Sequence, residues 1–160
     1  MRAHAPALLA YFTRRVDPVE DAADLVAETL LVVWKRAGAL PAPEDEARAW
    51  MFGIAHNVLR HHYRGAARRR AVADRLRDEL AAVPQPGSAT GARFDDLHAA
   101  LAELAPIDRD IIGLVHWDGF TLVETSRILR MKEGTVRSRY HRARAVLRSK
   151  LEAAERAEAR

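Results

Sequence analysis

The sequence predicts an all-α protein of two small helical domains joined by a flexible linker, and three observations support this prediction. Apolar residues recur at steps of three and four along most of the chain, as they do on helices with one buried face. This period stops between Val83 and Gly91, where Pro, Gly and Ser accumulate as they do in a connector. Residues 121–151 have the pattern of a helix-turn-helix. We therefore expect a first domain at residues 1–70, a linker at 71–93, a second domain at 94–153 and a tail at 154–160.

Composition and charge exclude several classes of protein. The 160 residues are 49% hydrophobic, which is ample for helical cores. The absence of cysteine excludes disulfides, thiolate catalysis and Cys-based zinc sites. No apolar run is long enough to span a membrane and no signal peptide is visible, so we expect a cytoplasmic protein. Lys and Arg outnumber Asp and Glu in residues 61–93 and 129–160 but not between them, which suits two separate contacts with a polyanion.

Two helices are predicted in the first 35 residues. Residues 5–16 have apolar side chains at helical spacing. Asp17-Pro18-Val19-Glu20 offers an N-cap, a proline at the first helical position and a Glu three residues after the cap. The second helix is therefore expected to start there and to run to about Lys35. Its inward face is predicted to consist of Ala22, Leu25, Val26, Thr29, Val33 and Trp34.

The outward face of this second helix combines acidic and apolar residues. Asp21 and Asp24 complement the positive end of the helix, which is the ordinary reason for acids in a first turn. Glu28 lies too far along the helix for that role, and Leu31 is displayed beside it. A mixed acidic and apolar strip indicates a protein partner. Asp24, Glu28 and Leu31 are therefore candidate contacts.

A third helix is predicted at residues 48–63, after a loop at residues 37–47 that contains Glu44-Asp45-Glu46. For Trp50 and Phe52 we favour core packing over base stacking, because Trp50 is in register with the apolar stripe. The opposite face is polar, partly cationic and free of acids. It consists of Gly53, His56, Asn57, Arg60, His61 and Arg64.

The second domain is predicted to contain four helices. The first two occupy residues 94–104 and 107–117, with Pro106 ending the first. Thr121 and Glu124 have the spacing of a capping box, which places the start of a third helix near Leu122. That helix loses its pattern near Arg130, and the last helix begins around residue 134.

The last helix has one apolar stripe and one exposed basic face. Val136, Tyr140, Ala143, Leu147 and Leu151 form the stripe. An exposed basic helix after a helix-turn suits a DNA major groove, and we favour this over a merely solvated face. Arg and Ser can reach base edges, and flanking Arg can hold phosphates. The outward residues are Arg137, Ser138, His141 and Arg142, and the flanking residues are Arg139, Arg144 and Arg148.

These residues resemble region 4 of bacterial RNA polymerase sigma factors of the extracytoplasmic-function group. The resemblance implies that Arg137, Ser138, His141 and Arg142 contact the promoter element near position −35. Part of the motif is shared with regulators of the LuxR type, so only the residues of the first domain can distinguish a sigma factor from such a regulator. The matching residues are Glu124, Gly134-Thr135-Val136-Arg137-Ser138-Arg139, Arg142-Ala143-Arg144 and Leu147-Arg148.

The first domain resembles region 2 of the same group of sigma factors. Asp24-Leu25-Val26-Ala27-Glu28 followed by Trp34 is similar to region 2.2, which implies binding to the clamp coiled coil of core polymerase. Ala23 and Ala27 depart from the family's common Glu and Gln, so this assignment depends mainly on Asp24 and Glu28. The family also implies another turn or two of helix upstream of Met1.

Residues 50–59 resemble the W-L-x-x-I-A-x-N-x-L signature of regions 2.3 and 2.4. The resemblance implies melting of the −10 element, with residues 40–47 forming a pocket for an unstacked base and Asn57 contacting the nontemplate strand. A flipped base needs a polar pocket, and single-stranded DNA needs nearby cations. The neighbouring polar residues expected to take part are His56, Arg60, His61 and Arg64.

We therefore predict a sigma factor that binds core polymerase and promoter DNA, is a monomer when free, and is controlled by an anti-sigma factor. The alternative is a LuxR-type regulator that binds DNA without being a polymerase subunit, but it leaves Asp24, Glu28 and Asn57 without a role. A nuclease is a second alternative, but no carboxylate or histidine cluster adjoins either basic face. His56, His61 and His62 do not have the spacing of a metal site. No enzymatic activity, cofactor or metal is expected.

Overall fold

The computed structural model describes residues 4–80, 97 and 99–158, and every regular element in that part of the chain is helical. The chain divides into two compact units, Met1–Pro86 and Gly87–Arg160. The all-α, two-domain fold is thus confirmed. Most of the predicted linker, from residue 81 onward, lies outside the described residues. The domain limits therefore remain predictions, as does the tail, although residues 154–158 belong to the last helix.

The first unit contains α1 (Ala5–Thr13), α2 (Asp21–Lys35), a short 3-10 helix (Ala37–Ala39) and α3 (Glu44–Leu80). Its core is built around aromatic side chains that have no exposed surface. The ring of Tyr11 meets Phe12 edge-on at 5.2 Å between centroids and Phe52 at 5.4 Å. Such edge-to-face pairs add to the free energy gained from burying the rings. The pair of Tyr11 with Phe52 joins α1 to α3.

Helix α2 starts later than predicted. Backbone N–H groups of Asp21 and Ala22 donate to the carbonyls of Pro18 and Val19 at 3.3 and 3.0 Å, so these residues form a turn ahead of the helix. Glu20 is the N-cap residue and makes no side-chain cap hydrogen bond. The predicted cap at Asp17 is therefore wrong, because the residues that it would have capped belong to the turn.

Trp34 was expected on the inward face of α2, and that expectation is wrong. Its side chain is 69% exposed, whereas Leu25, Thr29 and Val33 are buried. At about 100° per residue, Trp34 lies roughly 100° around the helix from Val33 and so falls outside the stripe.

Helix α3 is longer at both ends than predicted. Its first turn is formed by Glu44-Asp45-Glu46, which were expected in a loop. Three carboxylates at the positive end of a helix stabilise its start. The helix then continues past Tyr63 to Leu80, so its 37 residues span about 55 Å. Phe52 is buried, as expected, and Trp50 is half-buried.

In the second unit, residue 97 and residues 99–102 are helical, followed by α4 (Pro106–His116), α5 (Leu122–Leu129) and α6 (Glu133–Glu158). Pro106 takes the first turn of α4, where its missing N–H costs nothing. Arg109 donates to three carbonyls at the end of the preceding segment, those of Leu101, Ala102 and Leu104, at 2.9, 2.8 and 3.3 Å. The core cluster consists of Ala100, Leu101, Leu104, Ile112, Ala143 and Leu147, with Leu97 and Tyr140 packed against it.

The helix-turn-helix has the predicted start and end signals. The backbone N–H of Thr121 donates to Glu124 Oε2 at 2.7 Å, and the N–H of Glu124 donates to Thr121 Oγ1 at 3.2 Å. The capping box is therefore confirmed. At the other end, Arg130 adopts a left-handed conformation with φ 54° and ψ 45°.

Replacing Arg130 by glycine is expected to stabilise the second unit. A side chain in the left-handed region costs on the order of 1 kcal/mol, and glycine avoids that cost. Arg130→Gly should therefore raise the melting temperature, measured by circular dichroism. Arg130→Ala is the matched control, because it removes the guanidinium and keeps the Cβ atom, and it should produce no such rise. Equal melting temperatures for the two variants would show that backbone strain at this residue is negligible.

Candidate nucleic-acid and protein interfaces

Helix α6 presents a basic face opposite a buried stripe. Val136 and Ala143 are buried at 0% and 3% exposure, Leu147 is buried beside them, and Tyr140 and Leu151 are half-buried. The predicted stripe is therefore confirmed. The four outward residues form what we call the α6 face, and all are exposed: Arg137, Ser138, His141 and Arg142.

The side chains of the α6 face make only local contacts among the described residues. Arg137 pairs with Glu133 one turn earlier, and both side chains are largely exposed. Nε of Arg142 donates to the Ser138 carbonyl at 3.4 Å, a long and therefore weak bond. Such exposed pairs are worth well under about 1 kcal/mol, so they do not prevent these arginines from binding another molecule.

The flanking arginines of α6 differ from one another. Arg144 and Arg148 are exposed, and Arg148 contacts Glu152 at 3.6 Å with a side chain that is 82% exposed. Arg139 Nη1 instead lies 3.0 Å from Asp108 Oδ1, and its side chain is only 34% exposed. Arg144 and Arg148 are thus available to an anion, whereas Arg139 is already paired.

Helix α3 carries most of the predicted polar face. Asn57, Arg60, His61 and Arg64 are exposed, as expected. The Asn57 amide donates to the Gly53 carbonyl at 2.8 Å, which holds the side chain along the helix.

His56 was expected on the same polar face, and this placement is wrong. Its exposure is 5%, comparable with its buried neighbours on the stripe. His56 lies four residues after Phe52 and three before Leu59, so it is in register with the apolar side of α3. The polar character of His56 predicted exposure, whereas its position in the helical period predicts burial.

The burial of His56 favours its neutral form. Desolvation, followed by the positive charges of Arg60 and Arg15, lowers the pKa of His56 from 6.5 to about 4. Among the described residues, Nδ1 has no hydrogen-bond partner. A protonated imidazole at this position would carry a charge that the surrounding core does not compensate.

Stability of the first unit is therefore expected to fall as the pH is lowered from about 6.5 towards 4. In that window the unfolded chain binds a proton at His56 and the folded chain does not, so protonation favours unfolding. The loss should reach on the order of 2 kcal/mol at pH 5. His56→Leu removes the titrating group, and urea unfolding at pH 7.5 and pH 5 should show a smaller pH effect in this variant. An identical pH effect in both proteins would show that His56 titrates normally.

The exposed face of α2 contains the predicted acidic and apolar residues and one more. Asp24 and Glu28 are exposed, and Leu31 is 57% exposed. Trp34 lies three residues beyond Leu31 on the same side and is 69% exposed. We name these four residues the α2 strip. The apolar character of Trp34 predicted burial, although its angular position on the helix already places it beside Leu31.

Of the predicted base pocket at residues 40–47, only 40–43 lie outside a helix, and Leu40 is 42% exposed. Within the described residues, no group of three or more His, Asp and Glu side chains could hold a metal ion. None of the described helices combines the length and the apolar character needed to cross a membrane.

Comparison with known proteins gives consistent matches to both halves of the chain. Residues 1–70 match the family model Sigma-70 region 2, and residues 94–147 match Sigma-70, region 4. The ECF RNA polymerase sigma factor SigL of Mycobacterium tuberculosis is 30% identical over 158 residues, which covers 93% of this chain and 85% of SigL. The ECF RNA polymerase sigma factor EcfG of Rhodopseudomonas palustris is 33% identical over 146 residues, which covers 91% of this chain and 79% of EcfG.

Two solved structures are similar over nearly the whole chain. The sigma factor RpoE from Bartonella quintana, in complex with the anti-sigma factor NepR, has a TM-score of 0.66 and 26% identity, covering 94% of this chain and 93% of RpoE. CnrH, in complex with the cytosolic domain of CnrY, has a TM-score of 0.66 and 25% identity, covering 95% of this chain and 84% of CnrH.

Proposed function

The chain belongs to the extracytoplasmic-function group of the sigma-70 family, and on that basis we propose which of its surfaces bind polymerase and which bind promoter DNA. As an RNA polymerase sigma factor, it directs core polymerase to promoters and starts transcription there. The observation that carries the proposal is the presence, in one chain, of the acidic and apolar α2 strip and the basic α6 face. A LuxR-type regulator would account for the second unit alone, and the match of residues 1–70 to region 2 disfavours it.

The α2 strip is assigned to the clamp coiled coil of core polymerase. Two exposed carboxylates can attract a basic partner surface, and they also suppress binding to acidic ones. Leu31 and Trp34 supply the apolar contact that such a site needs, and tryptophan is among the residues that most often dominate binding energy at interfaces.

The exposed polar face of α3 is assigned to the −10 element. Asn57, His61 and the cations Arg60 and Arg64 line one side of a long helix. Cations along the side of a helix suit the backbone of a separated strand. Residues 40–47 are assigned to the pocket for an unstacked base. His56 is left out of the contact set because it is buried, and its role is to pack α3.

The α6 face is assigned to the −35 element. Arg137 and Arg142 carry forked donors that match guanine O6 and N7, while Ser138 and His141 are adaptable donors and acceptors. Arg144 and Arg148 flank the face and are assigned to the phosphate backbone, where they would hold the helix in its groove.

We also assign an anti-sigma factor as a regulatory partner and the cytoplasm as the location, where polymerase and promoter DNA are found. The similar structures of RpoE and CnrH contain NepR and the cytosolic domain of CnrY, respectively. A groove of about 300 Å³ in the second unit offers a protein partner an apolar site edged by two arginines. It is lined by Leu97, Leu101, Ile112, His116, Trp117, Arg144, Leu147, Arg148 and Leu151.

Run-off transcription tests the assignment as a whole. Core polymerase would be incubated with the full chain and a library of genomic fragments from the source organism, with core alone as the control. Discrete transcripts that require the chain, and that share an upstream and a −10 sequence, are expected. Binding of the chain to the same fragments without any new transcript would favour the DNA-binding regulator.

A further inference from the structure

We propose that Arg139 is a positioning residue, whose ion pair with Asp108 fixes the rotation of α6 about its own axis so that the α6 face is turned towards DNA. The inference rests on the proposed contact between this face and the −35 element. Arg139 is then not a phosphate contact, although its basic side chain and its position beside the α6 face had predicted that role.

The pair differs from the other ion pairs of α6 in its burial and its place. Lys150 also pairs outside α6, with Glu103, but those side chains are 37% and 59% exposed and Lys150 lies about two turns beyond the α6 face. Arg139 Nη1 and Asp108 Oδ1 are 3.0 Å apart, and the two side chains are 34% and 22% exposed. The pairs that Arg137 and Arg148 make lie within α6 itself, four residues apart. Those pairs cannot orient the helix relative to its surroundings, whereas the pair with Asp108 joins α6 to α4 across 31 residues of sequence.

Asp108 is itself held firmly. It lies in the first turn of α4, where the positive end of the helix dipole favours a carboxylate. Its backbone N–H donates to the carbonyl of Ala105 at 2.9 Å. The backbone that carries the Asp108 carboxylate is thus part of the ordered first turn of α4.

A second contact acts at the other end of α4. The ring of Tyr140 stacks on His116 with centroids 5.8 Å apart and planes 20° apart, and the hydroxyl lies 3.2 Å from Nε2 of His116. Arg139 and Tyr140 are adjacent on α6. Arg139 contacts the first turn of α4 and Tyr140 contacts the last. Between them, Ile112 packs in one cluster with Ala143.

Contacts at both ends of α4 and at its middle oppose rotation of α6. A rotation of about 20° would move side-chain tips, at a radius of about 5–6 Å, by about 2 Å. Hydrogen bonds to base edges do not survive such a displacement. The apolar stripe alone tolerates small rotations, because dispersion contacts are not directional. The ion pair therefore supplies the angular precision that base recognition needs.

The proposal predicts different behaviour for Arg139 and for a phosphate contact. A cation that neutralises a phosphate releases a counterion, so its loss lowers the salt dependence of binding by about 0.9 in the slope of log K against log salt. If the guanidinium of Arg139 stays on the half-buried Asp108 carboxylate, it contacts no phosphate and releases no counterion. Loss of Arg139 should therefore weaken discrimination between sequences and leave the salt slope unchanged.

A charge swap tests the pair directly. Holoenzyme would be reconstituted from core polymerase and the full chain carrying Arg139→Asp, Asp108→Arg or both. Affinity would be measured over a range of salt concentrations. The two probes are a duplex that the wild-type holoenzyme selects from a random pool and a scrambled duplex of the same length and composition. Each single variant should lose about tenfold in the ratio of the two affinities, and the double variant should recover to within about threefold of the wild type.

Arg144→Ala is the matched control for a phosphate contact, and Arg139→Ala is compared with it. A salt slope that falls equally in both variants, together with a charge-swapped protein that stays as poor as Arg139→Asp, would overturn the proposal. If thermal melts show that the swapped protein does not fold, Asp108→Asn replaces it. That variant should lose discrimination as Arg139→Ala does, and unaltered discrimination would count against the pair.

The same measurements separate this proposal from the proposed function. If wild-type holoenzyme selects no upstream sequence, or if Arg137→Ala and Arg142→Ala leave the selected sequence preferred as before, the −35 assignment of α6 has failed. If those two variants behave as expected and only Arg139→Ala resembles Arg144→Ala, the positioning role alone has failed.

Discussion

Replacing Asp24 and Glu28 together by lysine is expected to abolish binding to core polymerase while the chain stays folded. Both residues are exposed on α2, opposite the buried Leu25, Thr29 and Val33. Exposed substitutions usually change stability by about 0.5 kcal/mol or less, and the helix dipole adds about 0.3–1 kcal/mol for a reversal in the first turn. Placing like charge against a basic partner surface costs several kcal/mol, so the effect on binding should far exceed the effect on folding.

The measurement is a pull-down of core polymerase by the tagged full chain, with a thermal melt of each variant. Asp17→Lys with Glu20→Lys is the control, since it makes the same change in charge at two exposed acids of the first unit outside α2. Promoter opening should be lost with core binding in the strip variant and core binding should persist in the control. Undiminished core binding by the folded strip variant would refute the assignment of the α2 strip to polymerase. It would favour the alternative function, a regulator that binds DNA without being a polymerase subunit.

Trp34→Ala provides an uncharged test of the same surface. It removes a side chain that is 69% exposed, so it should leave the melting temperature almost unchanged. We expect weaker binding to core polymerase, because a large aromatic side chain at the centre of an interface can contribute about 2 kcal/mol or more of binding free energy. Core binding equal to that of the wild type would limit the α2 strip to its two acids and Leu31.

Local signals in the sequence were sufficient to predict the helix-turn-helix. Thr121 and Glu124 are three residues apart, and the capping box that they form involves no distant residue. The end of α5 follows from the loss of helical pattern immediately after Leu129, whereas the left-handed conformation of Arg130 is a finding of the structure. The buried stripe of α6 follows from its period alone. Elements of this kind are set by residues within one or two turns.

Two residues were misplaced because of their chemical type, and two features that depend on the surrounding chain were missed. His56 is polar but in register with the core, and Trp34 is apolar but out of register, so the residue type misled in opposite directions. The cap expected at Asp17 was displaced because the chain makes a turn before α2. The pairing of Arg139 with Asp108 could not be read from the sequence, because 31 residues separate the partners and each has an ordinary local role, one as a basic residue of α6 and the other as a first-turn acid.

Loss of both Arg137 and Arg142 is expected to remove most of the upstream sequence preference. Each arginine that makes a forked contact with a guanine contributes about 1–3 kcal/mol of discrimination, so Arg137→Ala and Arg142→Ala should each relax the preference at particular upstream positions. Arg144→Ala should instead weaken binding to every sequence alike and lower the salt slope by about 0.9. The measurement is selection from a randomised upstream element by holoenzyme containing each variant, together with affinities at several salt concentrations.

The ion pair between Arg137 and Glu133 does not complicate the interpretation of these results. The two side chains are 58% and 44% exposed, and pairs of this kind within a helix are worth about 0.3–0.5 kcal/mol, well below the expected loss. Glu133→Gln removes the same pair and keeps the arginine, so it should leave the selected sequence unchanged. If Arg137→Ala, Arg142→Ala and Arg144→Ala all weaken binding equally and without regard to sequence, α6 binds only the DNA backbone and the promoter must be read by another surface.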